Sequence, residues 1–338
     1  MTLNRKFILD NRPQKAATVD NFRLIEENLP ALQEGQVLIR HHYLSLDPYM
    51  RGRMDDAKSY AKPQPLGEVM IGGTVGEVVE SRCDKYQPGD TVVSAGGWQL
   101  YSIADGHAPG VMRKVDTRLV PMSHYLGAVG MPGVTAYYGL TQIIAPKAGD
   151  TVTVSAASGA VGSAFGALAK ARGCRVVGIA GGQEKCDYVV KDLGFDACID
   201  YKQHADAVSL SRALKGACPN GIDGHFENVG GQVLDAVMLR TNDFARIAVC
   251  GMIAGYDGAP LPMAYPTLIL RNRLRVEGFI VSEHMELWPA ALKELAQLVG
   301  SGQLRPRETV AQGLDSAPEA FLGLLKGRNF GKQLVKLI

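Results

Sequence analysis

Clustered cysteine, a large excess of one charge and long apolar runs are all missing from this chain of 338 residues. The formal net charge is +2, too small for nucleic acid or an anionic membrane surface to be the expected partner. No stretch approaches the roughly 18 apolar residues needed to span a bilayer. The opening MTLNRKFILDNRPQ turns charged before an apolar core of signal-peptide length develops. The six cysteines, at 83, 174, 186, 198, 218 and 250, include no C-x-x-C pair, which argues against a disulfide framework and a thiolate metal knot. Histidine is also scattered: His41-His42 is the one cluster. Adjacent strand residues point to opposite faces, so these two cannot easily share an ion and read as an ordinary surface pair. Together the absences predict a cytoplasmic protein with no metal, no nucleic acid and no membrane among its partners.

What is there is glycine, 39 residues of it, and a length beyond one usual core, so two domains are expected. The first third reads as β-rich. Strands are predicted over Gln36–Leu46, Gly73–Glu80 and from Thr91 onward, punctuated by Gln87-Pro-Gly-Asp90, in the manner of a compact barrel or sandwich. After about Val120 the texture changes, and strands and helices alternate. Thr151–Ser155 reads as a buried strand, followed by a helix whose Val161, Ala164, Phe165, Leu168 and Ala169 form one apolar stripe ended by Gly173. Arg175–Ile179 is the next strand, and the helix after it carries Cys186, Val189, Val190 and Leu193 on one face. Further strands fall at 197–199, 224–226, 246–249 and 276–280, and a helix at 288–299. This alternation is that of a doubly wound parallel sheet. The ending Gly331–Ile338 reads as a strand that returns to the first domain.

The chemical centre is Ala156-Ala-Ser-Gly-Ala-Val-Gly162. It follows a strand and opens a helix, the context of the dinucleotide fingerprint. There unpaired N–H groups and the positive end of the helix dipole suit a pyrophosphate. Gly159 would let the backbone approach the phosphates and Gly162 would let helix pack on strand, while Ala157 replaces the first glycine. Such turns are also Gly-rich for packing alone, so the pattern gains its weight from the strand, helix and following strand in register. NAD-binding versions place an acid near the end of the second strand. Here that place reads Ile179-Ala-Gly-Gly-Gln183, with no acid before Glu184. The missing carboxylate and the nearby Lys185 favour a 2′-phosphate, hence NADPH over NADH. Without a Lewis acid, reduction of a conjugated C=C bond is a natural chemistry: hydride goes to the β-carbon and hydroxyl donors stabilise the enolate.

At these residues the chain resembles the zinc-free medium-chain dehydrogenases/reductases, specifically the prostaglandin reductase and alkenal/enone double-bond reductase branch, whose bacterial members include NADPH-dependent curcumin reductases. The resemblance runs almost end to end, from Tyr43-Leu-Ser-Leu-Asp-Pro-Tyr-Met-Arg-Gly-Arg53 through Met131–Tyr137, Phe226-Glu-Asn-Val-Gly-Gly231 and Cys250-Gly-Met-Ile253 to Gly327-Arg-Asn-Phe-Gly-Lys332. It implies a GroES-like β barrel, residues 1–124 and 305–338, and a Rossmann domain, residues 125–304, in an α/β homodimer. It implies that Lys185, Tyr201 and Asn329 hold the 2′-phosphate and that Gly159, Ala160, Val161 and Gly162 form the pyrophosphate loop. Asn228, Cys250, Gly251, Met252, Ile253, Phe279, Ile280 and Val281 would then line the nicotinamide half. Tyr256 is the first choice of catalytic tyrosine, with Tyr49 and Tyr60 as candidates for orienting substrate. Gly72 and Gly73 stand where zinc-using relatives carry a His-Glu pair. The expected activity is NADPH-dependent reduction of α,β-unsaturated ketones and aldehydes. A quinone reductase on the same fold and a catalytically idle NADPH-binding protein are the rival readings.

Overall fold

The computed structural model describes residues 2–110, 112–118 and 120–338. The chain divides into two units, residues 1–126 with 308–338 and residues 127–307. In the first unit β1 (Leu3–Leu9) and β2 (Phe22–Asn28) form an antiparallel ribbon. Then come β3 (Gln36–Ser45), α1 (Tyr49–Arg53), β4 (Thr74–Ser81), β5 (Thr91–Ser94), β6 (Tyr101–Asp105) and β7 (Met112–Lys114). The second unit follows with α2 (Met131–Tyr138), β8 (Thr151–Ser155), α3 (Ala160–Ala171), β9 (Arg175–Ala180), α4 (Gln183–Lys191), β10 (Ala197–Asp200), α5 (Ala207–Ala217) and β11 (Ile222–Glu227). It ends with α6 (Gly231–Met238), β12 (Thr241–Val249), α7 (Thr267–Arg271), β13 (Arg275–Gly278) and α8 (Trp288–Gly300). The chain then returns to the first unit as β14 (Glu308–Gln312), α9 (Ala317–Leu325) and β15 (Lys332–Lys336).

The second unit holds a six-stranded, all-parallel sheet in the order β10-β9-β8-β11-β12-β13. In order of appearance that is third, second, first, fourth, fifth, sixth, the doubly wound Rossmann arrangement. The winding reverses between β8 and β11, and the carboxyl ends of strands at such a switch point are where ligands bind. Ala164, Phe165, Leu168 and Ala169 of α3 are all buried, and Gly173 follows the helix at φ +76°. Around α4 the predicted face is shifted: Cys186, Val189 and, just past the helix, Leu193 are buried, but Val190 is 39% exposed. Tyr188 explains this, for its buried ring, anchored by its hydroxyl to Arg305 O at 2.8 Å, turns the buried face away from Val190. The last strand of the sheet ends at Gly278, two residues before its predicted end, and this leaves Phe279 and Ile280 in the loop beyond it and Val281 opening a short 3-10 turn.

The first unit is a β domain whose larger sheet runs β14-β15-β3-β4-β5-β7, with β6 also on β3. β15 pairs antiparallel with β3 and parallel with β14, so the chain's end does rejoin the first unit. Fully buried Trp98 centres its core, stacked on Phe22 at 5.0 Å between centroids and edge-on to Phe321 at 5.5 Å.

The reading of His41-His42 as a surface pair is half wrong. Alternation on β3 sends His41 into the interior at 0% exposure, where Nε2 shares a 2.9 Å hydrogen bond with Ser102 Oγ, while His42 stays half-buried. Burial first, and the neighbouring His42 second, push His41 down to about 3. Its imidazole is therefore neutral in the folded protein at all physiological pH. The unfolded chain takes up that proton below its ordinary value of 6.5. The stability contributed by the neutral, buried ring is thus complete above pH 6.5 and is lost as pH falls toward 3, by at most about 1.4 kcal/mol per pH unit. Urea unfolding between pH 7 and pH 5 should show a steeper loss in the wild type than in His41→Gln. Equal slopes would contradict this account of His41.

Candidate functional site

At the carboxyl end of β8 the chain makes a tight turn through Ala156, which holds φ +52°. Ala157 N donates to Ile179 O at 3.1 Å, tying the turn to β9. Gly159 caps α3, and Ser163 N is the first helical donor, to Gly159 O at 3.0 Å. The N–H groups of Ala160, Val161 and Gly162 therefore precede the helix's own ladder and face the end of β8. A Cβ on Gly162 would lie 2.5 Å from Ala156 O and 2.7 Å from Ala157 Cα. Only glycine lets α3 start this close to the strand, which is the requirement anticipated for the third position of the fingerprint.

Opposite this turn, β11 ends in Glu227, a carboxylate with 0% exposure. Its Oε1 accepts from Ser155 Oγ (2.6 Å), Val229 N (2.5 Å) and Gly230 N (3.0 Å), and its Oε2 from His225 Nε2 (3.0 Å). Burial on its own would push the carboxyl up. The hydrogen bond and charge of His225, with the bonds from Ser155 and Val229, outweigh it and hold Glu227 below the usual range. The Glu227 backbone carbonyl takes the N–H groups of Cys250 and Gly251 at 2.9 and 3.2 Å. His225 is held in turn by Thr153 Oγ1 at 2.8 Å. The sequence reading did not single out Glu227, His225 or Ser155. Their signal was polar residues in strands that the sheet buries almost completely, Thr151–Ser155 and Ile222–Glu227.

Two of the segments predicted from sequence for the nicotinamide half, Asn228 and Cys250–Ile253, are tied to Glu227 and its neighbours. Asn228 donates its N–H to Ser155 Oγ (2.7 Å) and its side-chain amide to Ser155 O (2.8 Å). Ile253 N donates to Asn228 O at 3.1 Å, so the turn through Cys250, Gly251 and Met252 is pinned at both ends. Burial, then the Glu227 charge, push the Cys250 thiol up to about 12, so it stays a neutral thiol. Tyr256 closes the same turn: a Cβ on Gly251 would stand 3.0 Å from the Tyr256 hydroxyl. Phe279 stacks on Tyr138 at 5.0 Å and meets Phe226 edge-on at 6.1 Å, and Ile280 and Val281 continue from it beyond β13.

At the end of β9 the backbone runs Ala180-Gly181-Gly182. The Tyr201 ring and the Lys202 side chain close over Gly181, with Cε1 and Cε 2.9 and 3.0 Å from where its Cβ would be. Burial first, and the charge of Lys202 second, lower the Lys185 ammonium from its ordinary value, against the pull of Glu184. Two cations and a phenol thus converge at this corner, and Lys202 is a member the sequence reading missed despite its place beside Tyr201. An acid also arrives there from β10, not β9. Asp200 accepts from Gly182 N (2.8 Å), Lys202 N (3.1 Å) and Gln203 Nε2 (3.3 Å), bonds that hold its carboxyl below the usual range against burial.

Asn329, Tyr49 and Tyr60 belong to the first unit. Asn329 sits in the turn before β15 and donates to Gly331 O at 2.7 Å. Tyr49 opens α1, its phenol pushed well up by burial and then by Asp47 and Tyr60, whereas Tyr60 is 58% exposed. The Asp-Pro-Tyr segment is anchored by a buried ion pair that sequence reading also missed. Lys332 Nζ donates to Asp47 Oδ1 (2.7 Å) and Leu46 O (2.8 Å), and Ser45 donates to the same carboxylate. A Cβ on Gly72 would fall 2.7 Å from Leu44 Cδ1 and 3.2 Å from Trp98 Cδ1, so a side chain there would require the Leu44 tip to shift. At Gly73 a Cβ would find only ordinary contacts, 3.8 Å from Leu126 and 3.9 Å from Ser45. Among the described residues one trio is close enough to hold an ion, Cys83, Asp84 and His107. It includes none of the segments above.

Comparison with known proteins gives the family. Residues 5–112 match a family described as the N-terminal domain of oxidoreductase, and residues 160–297 one described as zinc-binding dehydrogenase. The NADPH-dependent curcumin reductase of Escherichia coli is 45% identical, covering 99% of this chain and 97% of that protein. The NADP(+)-dependent 2-alkenal reductase of Nicotiana tabacum is 44% identical over 88% of this chain and 86% of its own. The crystal structure of CurA from Vibrio vulnificus in complex with NADPH superposes with a TM-score of 0.90, at 44% identity and 99% coverage of both chains. Among the described residues no helix is long and apolar enough to cross a membrane. The chain belongs to the medium-chain dehydrogenase/reductase superfamily, in the branch of prostaglandin, alkenal and curcumin reductases.

Proposed function

We propose that this protein reduces the C=C bond of α,β-unsaturated ketones and aldehydes with NADPH. The observation that carries the reading is end-to-end similarity to reductases named for NADPH and for such substrates, in a chain whose own residues fit the dinucleotide. Residues 127–307 are the NADPH-binding domain. The N–H groups of Ala160, Val161 and Gly162, on the turn that Gly159 closes by donating to Ala156 O at 2.9 Å, receive the pyrophosphate at the start of α3. Lys185 and Tyr201 hold the 2′-phosphate, joined by Lys202. Asn228, Cys250–Ile253 and Phe279–Val281 flank the nicotinamide half, with the neutral Cys250 thiol placing no second anion there.

When bound, NADPH supplies the hydride that adds to the β-carbon. The chain's part is to hold the carbonyl oxygen as it becomes an enolate and to deliver a proton. Tyr256 is the first candidate for that hydroxyl donor, because its phenol lies against the backbone of the Cys250–Ile253 turn. Tyr49, kept protonated by its surroundings, and Tyr60 orient substrate. Zinc takes no part in this reading. A homodimer through the Rossmann sheet is in keeping with β13 being an edge strand and with the exposed Phe244 (67%) and Leu270 (83%) beside it. A cytoplasmic location suits six free thiols.

NADPH consumption against a simple enone, its saturated ketone and a quinone tests the activity. Turnover of the enone alone is expected, and turnover of the quinone alone would overturn the proposal. Tyr256→Phe should lower kcat by roughly 100-fold while leaving the Kd for NADPH unchanged; full retained turnover would remove Tyr256 from the mechanism. Lys185→Ala should raise the KM for NADPH by about 10-fold or more through loss of a charge-assisted bond, with the KM for NADH unmoved. An equal rise for both cofactors would contradict the 2′-phosphate assignment.

A further inference from the structure

Two thiols sit at the corner assigned to the 2′-phosphate. Cys186, in α4, and Cys198, in β10, bring their sulfurs to 3.0 Å from each other. Each is beside a residue of the cation corner: Cys186 follows Lys185, and Cys198 lies three residues before Tyr201. Space for the pair is built in, because a Cβ on Gly178 would come within 3.3 Å of Cys198 Sγ. β10 is the outermost strand of the sheet, with β9 as its partner there. It can therefore shift more readily than an interior strand. We infer that Cys186 and Cys198 form a reversible disulfide that weakens the grip on the adenosine 2′-phosphate, so that this reductase lowers its own use of NADPH when hydroperoxides accumulate. The inference rests on the assignment of Lys185 and Tyr201 to the 2′-phosphate.

A disulfide needs its sulfurs at about 2.05 Å, so closing the pair draws α4 and β10 together by about one ångström. That displacement acts on groups that must converge on one small anion. Lys185 rides on α4, and Tyr201 and Lys202 follow directly from β10. Asp200, which joins the β9 turn to β10 through Gly182 N at 2.8 Å, moves with them. The oxidant is a hydroperoxide. The Cys186 thiolate attacks its terminal oxygen, the O–O bond breaks, an alcohol leaves and a sulfenic acid remains. Cys198 sulfur then attacks Cys186 sulfur, the S–O bond breaks, water leaves and the S–S bond forms. Two thiols are oxidised by two electrons, and the hydroperoxide is reduced to an alcohol and water. The hydrogen bond from Cys198 lowers the Cys186 thiol, and this favours Cys186 as the attacking group.

The test is to treat the full-length enzyme with tert-butyl hydroperoxide, map disulfide-linked peptides by mass spectrometry and measure the KM for NADPH and for NADH. A Cys186–Cys198 linkage is expected, together with an NADPH KM raised at least about 5-fold, an unchanged NADH KM and recovery with dithiothreitol. Cys198→Ser should keep the reduced enzyme's kinetics and lose the response. Failure to find the linkage, or an equal response in Cys198→Ser, would overturn the inference. Lys185→Ala measured in parallel separates two failures. A raised NADPH KM in that variant, beside a linked enzyme whose KM has not changed, sinks the switch alone. An unchanged KM in the variant sinks the phosphate assignment and the switch with it.

Discussion

A carboxylate buried where the sheet's winding reverses is the constraint on which the site depends. An isolated carboxylate taken out of water costs several kcal/mol, and Glu227 is tolerated because its four donors are in place. Each donor belongs to a segment that must be positioned. Ser155 ends β8 just before the phosphate turn, Val229 and Gly230 form the turn after β11, and His225 fixes β11 itself through Thr153 on β8. The backbone carbonyl of the same residue fixes Cys250 and Gly251. One buried charge thus ties together the turn after β8, the turn after β11 and the Cys250–Gly251 segment, which are the segments proposed to hold the cofactor.

The second unit was the more legible part of the sequence. Buried parallel strands read as short apolar runs and their helices as stripes, so β8, α3 and β9 fall within a residue or two of where the pattern put them. Errors came where tertiary packing overrode the local pattern. Tyr188 turns the buried face of α4 away from Val190, and β13 gives way to a loop at Gly278. The phosphate turn was legible because glycine at 162 is a steric requirement that a sequence records directly.

Less legible were groups whose role depends on partners far along the chain. Glu227 meets Ser155 across 72 residues, and Asp47 meets Lys332 across 285. Neither partner can be inferred from spacing, and a buried lysine or glutamate looks like any other until its environment is known. The same holds for His41, whose burial follows from which face of β3 is turned inward. The acid–base character of the cofactor corner was only half visible. The absence of an acid on β9 was plain, but Asp200 and Lys202 arrive from the neighbouring strand.

The most direct test is to change the charge of Glu227 and leave its shape. Glu227→Gln presents an amide to N–H groups that need an acceptor, and the buried network loses the charge that holds His225. The account predicts a lower unfolding midpoint, by about 5–10 °C. It also predicts, at a temperature where the variant is still folded, an NADPH affinity weakened by about 10-fold or more. A variant with wild-type stability and wild-type NADPH affinity would show that the buried carboxylate does not set the geometry of the site.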